Sequence, residues 1–154
     1  YGPRQFLEKL IPKTIILANK NLKIPIYGEG KNIRDWIYVE DHCHAVKRAL
    51  LDGKSGESYN ISANNEIDNM TIVKKILQIM NKSEDLIEFV EDRPGHDFRY
   101  SMTSNKASEQ LNWKMKTNFE EGLEKTIQWY LDNPKILNDV SQTVLDPTPW
   151  KNSN

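Results

Sequence analysis

Three stretches of this chain carry apolar residues at the spacing of an amphipathic helix, and the stretches between them are short and strand-like. These helical patterns run from near residue 6, residue 69 and residue 118. No regular repeat of strand, helix and strand accompanies them, which excludes a complete doubly wound parallel sheet. Because 154 residues give room for about one domain, the sequence predicts a single mixed α/β domain of α+β-like character.

The predicted elements follow each other without a repeat or an obvious linker. The first is a helix whose apolar pattern covers 6–18 and whose first turn must contain Pro12. After it come strands over 22–27 and 33–39, a helix over 40–51, a strand over 57–62, a helix entered near Asn69 or Thr71, a strand over 86–91, a short helix over 104–111, and a last helix capped by Asn118. We expect residues 1–140 to form the folded part and residues 141–154 to form a loosely packed tail.

The net charge and the cysteine content of the chain indicate which partners and which compartment to expect. The formal charge is 21 − 22 = −1, which predicts no electrostatic attraction to nucleic acid or acidic membranes. Cys43 is the one cysteine, so an internal disulfide is impossible and a reducing, cytoplasmic location is expected. Because the chain opens on Tyr1 without an initiator Met, we expect it to come from a longer protein.

The segment DRPGHD at residues 92–97 is the sharpest local motif. Pro-Gly is the pair favoured at the centre of a type II turn, which would bring Arg93 and His96 close together. Two such donors on one rigid turn suit a phosphate or diphosphate. A polar turn in which Arg93 pairs with Asp92 or Asp97 is the alternative.

A second motif is RDWIYVED at residues 34–41. Acidic residues at a helix start favour the helix dipole, so the segment is typical of an ordinary passage from strand to helix. Arg34 lies close in sequence to Gly28 and Gly30, and it could instead face an anion.

Three other patterns do not support a site. Tyr27 and Lys31 have the spacing of a catalytic Tyr-x-x-x-Lys pair, but the glycines between them disfavour the helix that such a pair needs. The segment Gly28–Gly30 lacks the third glycine and the following helix of a dinucleotide fingerprint. His42 and His44 would point about 200° apart on a helix, so they predict no shared metal ion.

Five segments together resemble one family. They are YGPRQFLEKLIP at 1–12, PIYG at 25–28, RDWIYVEDH at 34–42, GESYNI at 56–61 and DRPGHD at 92–97. In this order they resemble the dTDP-glucose 4,6-dehydratases of the extended short-chain dehydrogenase/reductase superfamily. Leu7 stands where the family usually has Pro.

The resemblance implies an NAD-dependent lyase that acts on dTDP-glucose. In that family NAD takes hydride from sugar C4, water leaves across C5 and C6, and hydride returns to C6 to give a 4-keto-6-deoxy sugar used for rhamnose and other deoxysugars. The family's NAD fingerprint, Tyr-x-x-x-Lys pair and acidic dehydration residues precede the part that this chain resembles. The chain would thus be the C-terminal substrate-binding part, without most of the Rossmann sheet and without catalytic activity of its own.

The resemblance also assigns the site. It places the substrate's nucleotide or diphosphate against Lys9, Leu10, Pro25, Ile26, Tyr27, Arg34, Asn69, Arg93 and His96. NAD would be bound mainly by the N-terminal half, which also forms most of the family's homodimer interface. Two alternatives stay open: another nucleotide-sugar epimerase or decarboxylase of the superfamily, and a non-catalytic nucleotide-binding module.

Overall fold

The computed structural model of the chain describes residues 1–151. Its α-helices, in chain order, are α1 (Leu10–Asn19), α2 (Val39–Asp52), α3 (Asn69–Ile79), α4 (Asn105–Leu111), α5 (Phe119–Asp132), α6 (Pro134–Asn138) and α7 (Gln142–Leu145). Single 3-10 turns cover Glu84–Leu86 and Pro149–Lys151. The last three residues of the expected tail lie outside the described residues.

The strands form two small sheets. They are β1 (Ile24–Tyr27), β2 (Ile33–Asp35), β3 (Glu66–Asp68), β4 (Ile87–Val90) and β5 (Arg99–Tyr100). β1 pairs in parallel with β4, with Ile24 opposite Ile87 and Tyr27 opposite Val90. β2 lies at the centre of the other sheet, antiparallel to β3 and parallel to β5. This mixed α/β architecture confirms the predicted fold class.

The core is built around α1, which is buried from Ile11 to Ala18. Ile11 and Ile15 pack with apolar residues of α3 and α5, including Ile76 and Leu123. On the other side of α1, a second cluster joins it to β1. The apolar pattern that predicted a helix here therefore reflects a helix covered on several faces rather than on one.

Helix entries follow the local chemistry of their caps. The Asp68 carboxylate accepts the backbone N–H of Thr71 at 2.8 Å and so caps α3. Asn118 caps α5 by accepting the N–H of Glu121 at 2.9 Å, which confirms the cap predicted from the sequence. Pro12 is the third residue of α1 and lies in its first turn as expected.

Some predicted elements differ from the structure. The first helix begins at Leu10, as Pro12 in a first turn requires, so Phe6 and Leu7 of the apolar pattern precede it. There the Lys9 N–H donates to the Phe6 carbonyl at 3.1 Å in a turn. The predicted strand over 57–62 pairs with no described strand. Side chains hold that segment instead, as where Lys106 Nζ donates to the Ser58 carbonyl at 2.8 Å. The strands β3 and β5, each of three residues or fewer, were not predicted.

The segment after residue 140 is packed where it is described. Val144 of α7 is buried in the core cluster with α1 residues. Lys13 Nζ of α1 donates to the carbonyl oxygen of Asp146 at 2.5 Å. Over residues 141–151 the chain therefore has specific contacts that a loosely packed tail does not require. The division into a folded part over 1–140 and a tail over 141–154 stays a prediction.

Candidate functional site

A cavity of about 450 Å³ opens between the start of α1, β1, the middle of β2, the segment after β4 and the C-terminal segment. Every residue that the resemblance assigned to the substrate lines this cavity: Lys9, Leu10, Pro25, Ile26, Tyr27, Arg34, Asn69, Arg93 and His96. These residues come from five separate parts of the sequence. The fold therefore brings the whole predicted set to one place.

The parallel pairing of β1 with β4 explains why the DRPGHD turn faces Tyr27. Parallel strands end at the same edge of a sheet, so the residues after β4 emerge beside the end of β1. The N–H of Gly28 extends the ladder by donating to the carbonyl of Val90 at 2.9 Å. As a result, the rings of Tyr27 and His96 meet edge to face, with centroids 6.3 Å apart.

Asp92 organises the turn. One carboxylate oxygen, Oδ1, accepts the backbone N–H of Arg93 at 2.8 Å and lies 2.7 Å from Nδ1 of His96. Gly95 has φ +67°, the positive value that the second central residue of a type II turn needs. The His96 side chain is only 7% exposed. The turn that the Pro-Gly pair predicted is therefore present and holds His96 against the cavity.

The Arg93 side chain is not used to close the turn. Its guanidinium makes no ion pair with any of residues 1–151, and Asp92 bonds to the Arg93 backbone and to His96 instead. The alternative in which the Arg93 side chain pairs with Asp92 or Asp97 is wrong. An exposed guanidinium at the rim of a cavity is available to bind an anion.

Arg34 has a role within the fold as well. Its Nη2 donates to the carbonyl of Asp97 at 2.8 Å, and its Nη1 donates to the carbonyl of Ile33 at 2.6 Å. These bonds fasten β2 to the segment that follows the DRPGHD turn. They involve neutral carbonyl groups, so the positive charge of Arg34 is not neutralised by a carboxylate in them.

Sequence reasoning missed Lys13, although it lines the cavity. The residue is 8% exposed on the most buried helix of the molecule. Burial lowers the pKa of its ammonium group, while the carboxylates of Asp146 and Glu8 act in the opposite direction. The signal in the sequence was a lysine inside an apolar helical pattern, which demands a polar partner or a cavity.

With Lys13 included, four basic side chains line the cavity and Glu8 is the one acidic residue among the described lining residues. The other three cations are Lys9, Arg34 and Arg93. Because few opposite charges accompany them, the cavity favours an anionic ligand.

Gln5 lines the cavity and also carries a buried hydrogen-bond acceptor. Its Oε1 atom has no hydrogen-bond partner among residues 1–151. A buried amide oxygen in this condition carries a desolvation cost. Nothing in the sequence around Gln5 indicated this.

The residues of the sequence patterns that predicted no site have other roles in the structure. Tyr27 ends a strand and Lys31 forms an ion pair with Glu29 at 2.6 Å, so the two do not share a helix face. Gly30 has φ +70°, and an added Cβ would lie 2.7 Å from Ile26 Cγ2. Within residues 1–151 no group of three or more His, Cys, Asp or Glu side chains is arranged to hold a metal ion.

Comparison with known proteins identifies relatives of this chain. A sequence profile of GDP-mannose 4,6 dehydratases matches residues 1–126. The chain belongs to this family. The dTDP-glucose 4,6-dehydratase of Neisseria gonorrhoeae is 46% identical over 144 residues, which cover 86% of this chain and 42% of that protein. The chain thus spans about two fifths of the curated relatives it matches.

Solved structures of the same superfamily have the same fold as the chain. The dTDP-glucose 4,6-dehydratase of Bacillus anthracis, in complex with NAD, superposes with a TM-score of 0.83 at 43% identity over 88% of this chain and 43% of that one. The UDP-glucose 4-epimerase of Thermotoga maritima, with UDP-glucose, gives a TM-score of 0.82 at 25% identity over 87% and 44%. No helix within residues 1–151 is both long and apolar enough to cross a membrane.

The described residues do not fit the NAD site of such enzymes. A dinucleotide site needs a glycine-rich turn between a strand and the N-terminus of a helix. Here Gly28 and Gly30 follow β1, but the chain then enters β2 rather than a helix. The positive φ values of these glycines serve the turn and its close packing. We therefore derive no NAD contact from this part of the family fold.

Proposed function

We propose that this chain supplies the nucleotide-sugar pocket of a dTDP-glucose 4,6-dehydratase. The complete enzyme would convert dTDP-glucose to dTDP-4-keto-6-deoxyglucose with loss of water. The observation that carries the proposal is the convergence of nine family-assigned residues on one cationic cavity of about 450 Å³. Relatives that bear this enzyme's name are 43% to 46% identical over most of the chain.

The arrangement suits a nucleoside diphosphate in particular. A diphosphate carries its negative charge on several oxygens, and the side chains of Lys9, Arg34 and Arg93 come to the cavity from three different elements. A hydrogen bond between a charged donor and such an oxygen contributes about 1.5–3 kcal/mol. Pro25 and Ile26 give the same cavity an apolar side for the nucleoside.

The chemical step is assigned to the rest of the enzyme. NAD would be bound mainly by residues outside this chain, and we place no catalytic residue within it. We expect the purified 154-residue chain, given NAD and dTDP-glucose, to form no 4-keto-6-deoxy product. Measurable dehydration by this chain would contradict that part of the proposal.

Calorimetric titration with dTDP tests the pocket. We expect wild-type chain to bind dTDP and Arg93→Ala to weaken the binding by about tenfold or more, since a charge-assisted contact is lost. Lys47→Ala is the matched control, because it removes an exposed cation of α2 that does not line the cavity. Equal dTDP affinity in wild type and Arg93→Ala would remove the anion-binding role.

A nucleotide-sugar epimerase is the second candidate, and the likeness to the UDP-glucose 4-epimerase of Thermotoga maritima favours it. Titration with UDP beside dTDP separates the two at the level of the pocket. An assay of the complete enzyme on dTDP-glucose and UDP-glucose then decides the reaction. Tighter binding of UDP, together with no 4-keto-6-deoxy product from dTDP-glucose, would replace the dehydratase by the epimerase.

A further inference from the structure

The C-terminal segment forms one wall of the cavity, although neither the family profile nor the sequence motifs pointed to it. Thr143, Pro149 and Trp150 all line the cavity. They lie beyond residue 126, where the match to the family profile ends. The residues of this wall thus lie outside the segment that the family profile matches.

Contacts along the segment hold the wall in place. Val144 is buried in the core, and the Asp146 carbonyl accepts a hydrogen bond from Lys13 at 2.5 Å. The Asp146 carboxylate accepts the N–H of Thr148 at 2.9 Å, which orders the turn before Trp150. At the far end, Lys151 Nζ lies 2.5 Å from a carboxylate oxygen of Glu91, in the residues that follow β4. Trp150 is thus fixed between two anchored neighbours.

Trp150 reaches the part of the cavity that β1 lines. Its ring meets the ring of Tyr27 edge to face, with centroids 4.5 Å apart and an interplanar angle of 82°. Tyr27 in turn contacts the ring of His96. The three rings make a continuous aromatic surface beside the basic side chains. A ligand with an anionic part and a flat aromatic part could place the first against the basic side chains and the second against the rings.

We propose that Trp150, with Tyr27, forms the aromatic wall against which the nucleobase of the bound nucleotide packs. The inference rests on the proposed function, since it needs a nucleoside diphosphate in the cavity. In such a ligand the base is the one flat aromatic group, and aromatic side chains bind bases through their π-faces. Trp150 then contributes affinity for the base and takes no part in binding the phosphates.

Titration of the full 154-residue chain with dTDP and with inorganic pyrophosphate separates these roles. Loss of stacking in Trp150→Ala weakens dTDP binding by about tenfold and leaves pyrophosphate binding unchanged. Trp150→Phe keeps a smaller ring and is expected to lose less affinity for dTDP. If circular dichroism shows that Trp150→Ala is unfolded, Trp150→Phe tests the inference in its place. Quenching of tryptophan fluorescence by dTDP is expected in the wild type and is expected to be reduced in Trp150→Phe.

The chain offers a closely matched control. Trp129 is also half-buried and also meets a tyrosine, Tyr130, edge to face at 5.0 Å and 87°, but it lies outside the cavity. Trp129→Ala therefore removes a comparable aromatic pair and is expected to leave dTDP affinity unchanged.

Different outcomes bear on different claims. Unchanged dTDP affinity in both Trp150 variants, with Arg93→Ala weakened, overturns this inference and leaves the proposed function intact. An equal loss of pyrophosphate affinity in Trp150→Ala also overturns it, because Trp150 would then shape the anion site. Titration with dTDP-glucose adds one more outcome. If Trp150→Ala loses affinity for dTDP-glucose but not for dTDP, the inference is also overturned, because the hexose would then lie at Trp150. Absence of any dTDP binding by the wild type overturns the proposed function and the inference together.

Discussion

The buried carboxylate of Asp41 in α2 accepts the backbone N–H of Thr117 at 2.9 Å, across 76 positions of sequence. Its other oxygen accepts the N–H of Lys116 at 3.0 Å, and the Asp41 carbonyl accepts the indole N–H of Trp113 at 3.1 Å. One residue of α2 therefore holds the connection that leads into α5.

Replacing this carboxylate is expected to be costly. Asp41→Ala leaves two backbone N–H groups without their acceptor, which should lower the free energy of unfolding by about 2–4 kcal/mol. Denaturant unfolding measures the loss. Glu40→Ala, an exposed acidic neighbour in the same helical turn, is the control and should change stability far less. A loss as small as that of the control would show that Asp41 is not needed for this connection.

Substitutions at two glycines distinguish the effect of a turn on stability from its effect on ligand binding. Gly95 and Gly56 are both exposed, both have positive φ (+67° and +81°), and neither has another atom within 4 Å of an added Cβ. Substitution by Ala should cost about 1 kcal/mol in each case, because the left-handed region disfavours L side chains. Only Gly95→Ala, in the turn that carries Arg93 and His96, should weaken dTDP binding. Equal affinity in the two variants would contradict a binding role for that turn.

The unpartnered Oε1 of Gln5 predicts that its removal stabilises the chain. Gln5→Met removes a buried acceptor while keeping the side chain's length, and it should raise the free energy of unfolding by about 1 kcal/mol. Thermal unfolding measures the effect. Gln78→Met, on the exposed face of α3, should leave stability unchanged, and a destabilised Gln5→Met would contradict this prediction.

Acid should loosen the three-stranded sheet through Glu66. Hydrogen bonds from Arg99 and then Ser101 lower the pKa of the Glu66 carboxyl to about 2. Since the folded pKa lies below the ordinary value of 4.5, this contribution to stability is complete above pH 4.5 and is lost as the pH falls towards 2. Glu66→Gln should flatten the pH dependence of unfolding in that window. A carboxyl resonance of Glu66 that titrates near pH 4.5 would refute the assignment.

Motifs with a fixed local geometry could be predicted from the sequence. The Pro-Gly pair specified its turn, and Asn118 specified the start of α5, because each depends on neighbouring residues alone. The nine site residues were assigned through family segments, and the structure places all of them around one cavity. Their binding of substrate stays a prediction.

Features that depend on distant partners could not be predicted. β3 and β5 hold three and two residues and owe their pairing to β2, so no periodic pattern marks them. The segment 57–62 has a strand-like composition but no described strand beside it. Trp150 followed two prolines in a stretch expected to be loose. Its contact with Tyr27 spans more than 120 residues and carries no local signal.

The walls of the cavity extend from Gln5 to Trp150, almost the full described length of the chain. During synthesis, the first wall emerges from the ribosome long before the last one exists. Contacts so far apart in sequence must overcome a large loop-closure entropy, which slows their formation. A nucleotide therefore encounters a complete pocket only after the segment around Trp150 has docked, and ligand binding would report on a late step in folding rather than on an early one.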